Sequence, residues 1–149
     1  HVPRHETLTL DDYRKRHAQY KTDASSQAMH AQQPLIVIWD DHETANNPWM
    51  SGAENHDSSE GDWSARRQAS LQAYYEWLPI REPAVGATQA EYWRHFKFGD
   101  LVSLITLERR HTGRSQQISY DYSLPNLQLV YQSHNFTDTV LNDSIRNMI

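Results

Sequence analysis

The chain has 149 residues, a formal net charge of −5 and no cysteine. This length suits one domain of ordinary size, and the negative charge argues against a general nucleic-acid-binding surface. The lack of cysteine excludes a disulfide framework and a zinc–thiolate site, and no apolar run approaches the ~20 residues of a membrane span.

Helical spacing of apolar residues, together with capping residues, predicts four helices. They span residues 8–21, 23–31, 63–78 and, as a frayed terminal helix, 138–149. Thr9, Asp23 and Asp62 stand at the expected N-cap positions of the first three, where a side-chain oxygen accepts a hydrogen bond from an otherwise unpaired backbone N–H.

Strands are predicted at three places. Residues 35–38 are apolar and mostly β-branched, which is typical of a strand buried on both faces. Residues 92–98 and 101–107 read as two antiparallel strands, of which we expect the second to be the more buried. Gly99–Asp100 between them suits a two-residue type II′ hairpin turn.

Titratable side chains follow the apolar run at once, in the segment Trp39-Asp40-Asp41-His42-Glu43. In α/β proteins, ligands bind beyond the carboxyl ends of strands, and carboxylate, amide and imidazole groups suit calcium or iron. The adjacent carboxylates of Asp40 and Asp41 repel each other unless a cation lies nearby. From residue types alone, a solvated turn or a helix start is the alternative, and Asn46-Asn47-Pro48 by itself is typical of a turn.

Residues 8–114 resemble the PhoD-like alkaline phosphatase family, and residues 115–149 match it more weakly, so we expect one partial domain over 1–149. The matching strings are Leu10-Asp11-Asp12-Tyr13-Arg14, Tyr20-Lys21, Pro34-Leu35-Ile36, Trp39-Asp40-Asp41-His42-Glu43, Asn46-Asn47, Arg66-Arg67, Gln72-Ala73-Tyr74-Tyr75-Glu76-Trp77, Pro79-Ile80-Arg81, Phe98-Gly99-Asp100-Leu101 and Leu107-Glu108 with Arg110. The Trp-Asp-Asp-His-Glu string followed by two asparagines is the most specific of them.

The resemblance implies an α/β fold, as a fragment of a two-sheet metallophosphoesterase sandwich flanked by helices. It implies hydrolysis of phosphate mono- or diesters, with small-molecule phosphate esters as substrates and with iron and calcium as cofactors. It also implies that the parent protein is exported to the periplasm or the extracellular space.

Site residues follow from the same resemblance. Asp41 corresponds to a metal ligand, and His42 to a proton donor or transition-state stabiliser. Asp40 and Asn46 are further candidates for metal ligation or phosphate contact. Three residues are candidates for holding the substrate phosphate: Asn47, Arg81 and Arg110. For both arginines an ordinary salt bridge is the alternative.

The chain departs from the family pattern in what it lacks. Family members carry an upstream Asp, a Cys-x-Tyr element, and a late Asp and His as further ligands. We therefore expect an internal piece of a longer protein, which by itself is inactive or binds metal weakly. Its sheet would also lack neighbouring strands, leaving unpaired edges and exposed apolar surface.

Two positions are unusual for the family: Arg109, where Thr is expected, and His111. Together with the weak tail after residue 115, they motivate a second hypothesis. In it, the chain is a truncated or degenerate family member that serves as a non-catalytic binding or structural module. A metal-dependent nuclease is a third hypothesis, which the negative charge disfavours.

Overall fold

The computed structural model describes residues 1–116, which form helices and one small sheet. The elements are α1 (Leu10–Tyr20), α2 (Ala24–Gln32), a 3-10 turn (Ser58–Glu60), α3 (Trp63–Trp77), β1 (Arg94–Phe98) and β2 (Val102–Thr106). The two strands form an antiparallel two-stranded sheet. The predicted helix over 138–149 lies outside the described residues. None of the helices within residues 1–116 is both long and apolar enough to span a bilayer.

The three helices of the described range begin where their capping residues predict. The Thr9 hydroxyl accepts a hydrogen bond from the Asp12 N–H, and the Asp12 carboxylate accepts one from the Thr9 N–H, which completes a capping box. Asp23 and Asp62 accept the corresponding N–H at 2.7 and 2.8 Å. These local signals are confirmed because each depends on residues within one turn of the helix.

Helix α1 packs along α3 through polar and aromatic contacts. Arg14 donates two hydrogen bonds of 2.6 Å to the carboxylate of Glu76. His17 stacks on Trp77 with ring centroids 6.3 Å apart and planes 7° from parallel. These contacts hold α1 where its buried Tyr13 reaches the segment after residue 38.

An aromatic core also lies against α3. Trp39 is at its centre, 2% exposed, with the rings of Tyr74 and Tyr92 at 5.5 and 5.3 Å. Tyr75 and Leu71 complete the buried set from α3. Tyr74 and Tyr75 are each 6% exposed and serve packing, and burial of each such ring contributes about 1.5–3 kcal/mol.

The strand predicted at residues 35–38 is wrong for this structure. The segment has no ladder partner within residues 1–116, and Ile36 and Ile38 are 41% and 39% exposed. A strand needs a neighbour to take its backbone N–H and C=O groups, and no described segment supplies one. The apolar surface expected from missing neighbouring strands is present here.

The hairpin forms, but two of its predicted details are wrong. Phe98 pairs with Val102, so the connection has three residues rather than two. Gly99 has the positive φ, 56°, that the turn requires. The second strand is not the more buried one: Val102 and Ile105 are 54% and 46% exposed, because no second layer covers the sheet within the described range.

Candidate functional site

The segment of residues 39–47, here called the acidic loop, starts at the buried Trp39 and folds back on itself. The N–H of Asp40 donates to the Glu43 carboxylate at 2.6 Å, and the N–H of Asn47 donates to the Asp41 carbonyl at 2.8 Å. Asn47 has a φ of 46°, which asparagine tolerates better than most residues. The turn predicted around the asparagine pair is therefore present, and it closes the loop.

Thr44 anchors the middle of the acidic loop. Its carbonyl accepts a 2.6 Å hydrogen bond from the Tyr13 hydroxyl of α1. Its own hydroxyl lies 2.6 Å from Oγ of Ser70 on α3 and 3.2 Å from Nε2 of His111. Thr44 is 3% exposed, so these bonds are shielded from water and tie the loop to three separate segments.

Glu108 fixes the beginning of the acidic loop through its hydrogen bond with Trp39. It is fully buried and accepts the indole N–H of Trp39 at 2.9 Å. It also accepts the Thr112 hydroxyl and four backbone N–H groups, those of Arg110, His111, Thr112 and Gly113. Burial by itself raises the pKa of the Glu108 carboxyl, but these hydrogen bonds outweigh it and hold that pKa below its usual value. Glu108 therefore stays charged and folds residues 108–113 around itself.

Asp40 is engaged with arginines. Its Oδ1 accepts hydrogen bonds from Nη2 and Nε of Arg110 at 2.7 and 3.2 Å, and from Nη2 of Arg109 at 3.1 Å. The Arg110 guanidinium, and then Arg109, lower the pKa of the Asp40 carboxyl. The salt bridge considered as the alternative for Arg110 is thus what the structure contains. Arg81 is exposed, and its carbonyl accepts a hydrogen bond from Arg94, away from the acidic loop.

The acidic loop exposes Asp40, His42 and Glu43 to solvent, and Asp41 lies partly exposed beside His42. Nε2 of His42 lies 3.7 Å from Oδ2 of Asp41, and the two side chains are 71% and 41% exposed. A groove of about 600 Å³ between α1 and residues 37–43 borders His42. The acidic loop is thus fixed by the buried residues Trp39 and Thr44 and carries a solvent-accessible carboxylate–imidazole pair.

The asparagine pair lies beside these two residues. Nδ2 of Asn46 and Nδ2 of Asn47 both donate to Oε2 of Glu54, at 3.0 and 2.6 Å. Sequence reasoning missed Glu54, and it recorded Glu108 as a family match without a role. Glu108 reaches Trp39 across 69 residues of chain, and Glu54 reaches the asparagines through an irregular loop seven and eight residues away, so no periodic pattern marks either residue.

The donor set fits part of a metal site. Carboxylate, imidazole and amide oxygen are groups that calcium or iron accepts. Within the part of the chain that the structure describes, however, no three His, Asp or Glu side chains come together to hold an ion. Asp41, His42 and the asparagines can therefore contribute to a coordination sphere but do not complete one.

Comparison with known proteins places this geometry in context. The model of the PhoD-like phosphatase family matches residues 1–148. Alkaline phosphatase D of Bacillus subtilis (strain 168) is 41% identical over 121 residues, which cover 80% of this chain and 20% of that protein. A solved structure of PhoD superposes with a TM-score of 0.62 at 41% identity, covering 74% of this chain and 21% of its own. The chain thus spans about one-fifth of the length of these relatives.

Proposed function

This chain belongs to the PhoD-like phosphatase family, and from that premise we propose that it is part of a metal-dependent enzyme that hydrolyses phosphate mono- or diesters. The observation that carries the proposal is the solvent-accessible pair Asp41–His42. The loop that carries this pair is fixed by the buried Trp39, Thr44 and Glu108, and His42 borders an open groove. Small phosphate esters are the proposed substrates, and export of the parent protein is proposed from family resemblance.

His42 is the proposed proton donor to the leaving oxygen. Its imidazole is exposed, its Nε2 lies 3.7 Å from Oδ2 of Asp41, and it borders the groove in which a substrate could lie within reach of proton transfer. Asp41 is the proposed metal ligand. Bound cations, proposed as iron and calcium, offset phosphate charge and lower the pKa of a coordinated water.

The remaining candidates have narrower roles. The hydrogen bonds from Arg109 and Arg110 all reach Oδ1 of Asp40, so we propose that Asp40 orients Arg110 while its Oδ2 stays a candidate for cation ligation. As phosphate ligands, Arg110 and Arg81 stay predictions. Asn46 and Asn47 adjoin Asp41, and each can offer an amide oxygen to a cation or an amide N–H to a phosphate oxygen.

Inactivity of the 149-residue chain by itself is also part of the proposal. A metal site needs its ligands assembled before it binds tightly, and the described residues supply only part of a set. Isolated, the chain is expected to release no phosphate and to bind calcium weakly. The test of catalysis therefore belongs to the longer parent protein.

Phosphate release from a chromogenic ester by the parent protein tests the roles of Asp41 and His42. With iron and calcium present, Asp41→Ala and His42→Ala are each expected to lower kcat by about 100-fold or more. Asp11→Ala and His95→Ala remove the same residue types from exposed positions and serve as controls. Full activity in both loop variants would refute these assignments.

A non-catalytic module is the second candidate function. It is favoured by Arg109, an unusual residue for the family, whose guanidinium lies 3.1 Å from the predicted ligand Asp40. A positive charge at that place competes with a cation. The flanking sequence discriminates the two: an upstream Asp with Cys-x-Tyr and a downstream His motif would support the enzyme.

A further inference from the structure

Asn46 and Asn47 share one carboxylate oxygen. Both side-chain nitrogens donate to Oε2 of Glu54, at 3.0 and 2.6 Å. An ionised carboxylate only accepts hydrogen bonds, so the amide nitrogens must face Glu54, whichever way each amide is drawn. The amide oxygens consequently face away from Glu54.

The backbone of the asparagine pair is held independently of this contact. The Asn46 carbonyl accepts the Glu54 N–H at 2.9 Å, and the Asn46 N–H donates to Oδ1 of Asn55 at 2.6 Å. The Asn47 N–H donates to the Asp41 carbonyl. Because the main chain is fixed on both sides, the rotation of the two side-chain amides is what remains to be set. The hydrogen bonds to Glu54 set that rotation.

Glu54 belongs to a turn that is itself anchored. Nδ2 of the neighbouring Asn55 donates to Glu6 at 2.6 Å, and Glu6 pairs with Arg66 at 2.8 Å. The side chain of Arg66 is 2% exposed and also pairs with Glu60. The carboxylate of Glu54 therefore approaches the asparagines from a segment tied to the buried face of α3.

The orientation has a chemical consequence. Phosphate oxygens accept hydrogen bonds, so an asparagine that contacts phosphate must offer its N–H groups, whereas a hard cation takes its oxygen. Glu54 accepts one N–H of each amide, which holds both side-chain nitrogens toward Glu54 and leaves the amide oxygens facing away from it. The contact thus favours cation ligation for Asn47, which the sequence analysis had assigned to phosphate, as well as for Asn46.

We propose that Glu54 is a positioning residue that turns the side-chain nitrogens of Asn46 and Asn47 toward itself and so presents their side-chain oxygens as ligands for a hard cation such as calcium. The role rests on the metal-dependent function proposed above. Glu54 acts through the asparagines.

Nuclear magnetic resonance of the side-chain amides tests the contact in the metal-free parent protein. Glu54→Ala is expected to shift the Asn46 and Asn47 NH2 resonances and to speed exchange of their hydrogens, since the carboxylate acceptor is gone. Glu91→Ala, which removes an exposed glutamate elsewhere, serves as the control and leaves them in place. Unchanged resonances in Glu54→Ala would overturn the proposal.

Calorimetric titration of the same proteins with calcium chloride tests the consequence. Loss of two charge-assisted hydrogen bonds at an exposed site is expected to raise the calcium Kd by roughly five- to tenfold in Glu54→Ala. Glu54→Gln keeps an accepting oxygen, so its Kd is expected to rise less. The inhibition constant of inorganic phosphate, measured at saturating calcium, is expected to stay constant.

The opposite pattern, weaker phosphate inhibition with an unchanged calcium Kd, would show that the asparagines serve phosphate and would overturn the proposal. A wild-type parent that binds calcium, with the same Kd in Glu54→Ala, would overturn this inference alone. A wild-type parent that binds no calcium and releases no phosphate would overturn the proposed function together with it.

Discussion

The acidic loop and the β-hairpin are held in different ways. The loop rests on Trp39, Thr44 and Glu108, whose exposures are 2%, 3% and 0%, and its bonds run to α1, α3 and residues 108–113. The hairpin is held by its own ladder, with Val102 and Ile105 about half exposed. Within residues 1–116, the candidate site is therefore placed by buried side chains beneath it, and the sheet contributes little to its position.

The largest effect on stability is expected from truncating Trp39, the buried residue at which the acidic loop begins. Trp39→Ala deletes the ring packed on Tyr74 and Tyr92 and the bond to Glu108, and it is expected to lower the free energy of unfolding by about 3–5 kcal/mol. Ile105→Ala in the hairpin is expected to cost no more than ~1 kcal/mol, because that side chain is 46% exposed. Urea denaturation measures both, and equal losses would refute the contrast.

A second substitution sharpens the comparison by keeping size and removing charge. Glu108→Gln replaces one of the two carboxylate oxygens by an NH2 group, and because each oxygen accepts three hydrogen bonds, that NH2 group faces three donors. We expect a loss of about 2–4 kcal/mol, with Glu91→Gln as the exposed control at roughly zero. If both variants unfold at the same urea concentration, the buried carboxylate does not hold the loop.

The third and smallest effect depends on pH. Burial, opposed by the charge of Glu108 and assisted by the charges of Arg67 and Arg110, lowers the pKa of His111 from 6.5 to about 4. In this range the unfolded chain binds a proton that the folded chain does not, so stability falls as pH drops from 6.5 toward 4. The expected loss is about 2–3 kcal/mol.

His111→Gln cannot take up that proton, and its stability is expected to be flatter across the same window. Denaturant midpoints at several pH values measure the difference. Burial also lowers the pKa of His17, but His17 is present in both proteins, so the difference between their pH profiles reports on His111. Parallel pH profiles for the two proteins would contradict the expectation.

The sequence by itself determined the parts that depend on near neighbours. Thr9, Asp23 and Asp62 cap their helices as predicted because capping involves residues within one turn. The composition of the acidic loop and the family membership were also readable, since specific strings in fixed order need no structure. The roles of Asp41 and His42 remain predictions.

Only the tertiary structure decided which groups support the loop and which surfaces are buried. Trp39 and Glu108 meet across 69 residues of chain, and Glu54 meets the asparagines through a loop that no periodic pattern describes. Residues 35–38 and β2 looked buried because they are apolar. Burial, however, requires a covering layer, and apolar composition alone does not provide one.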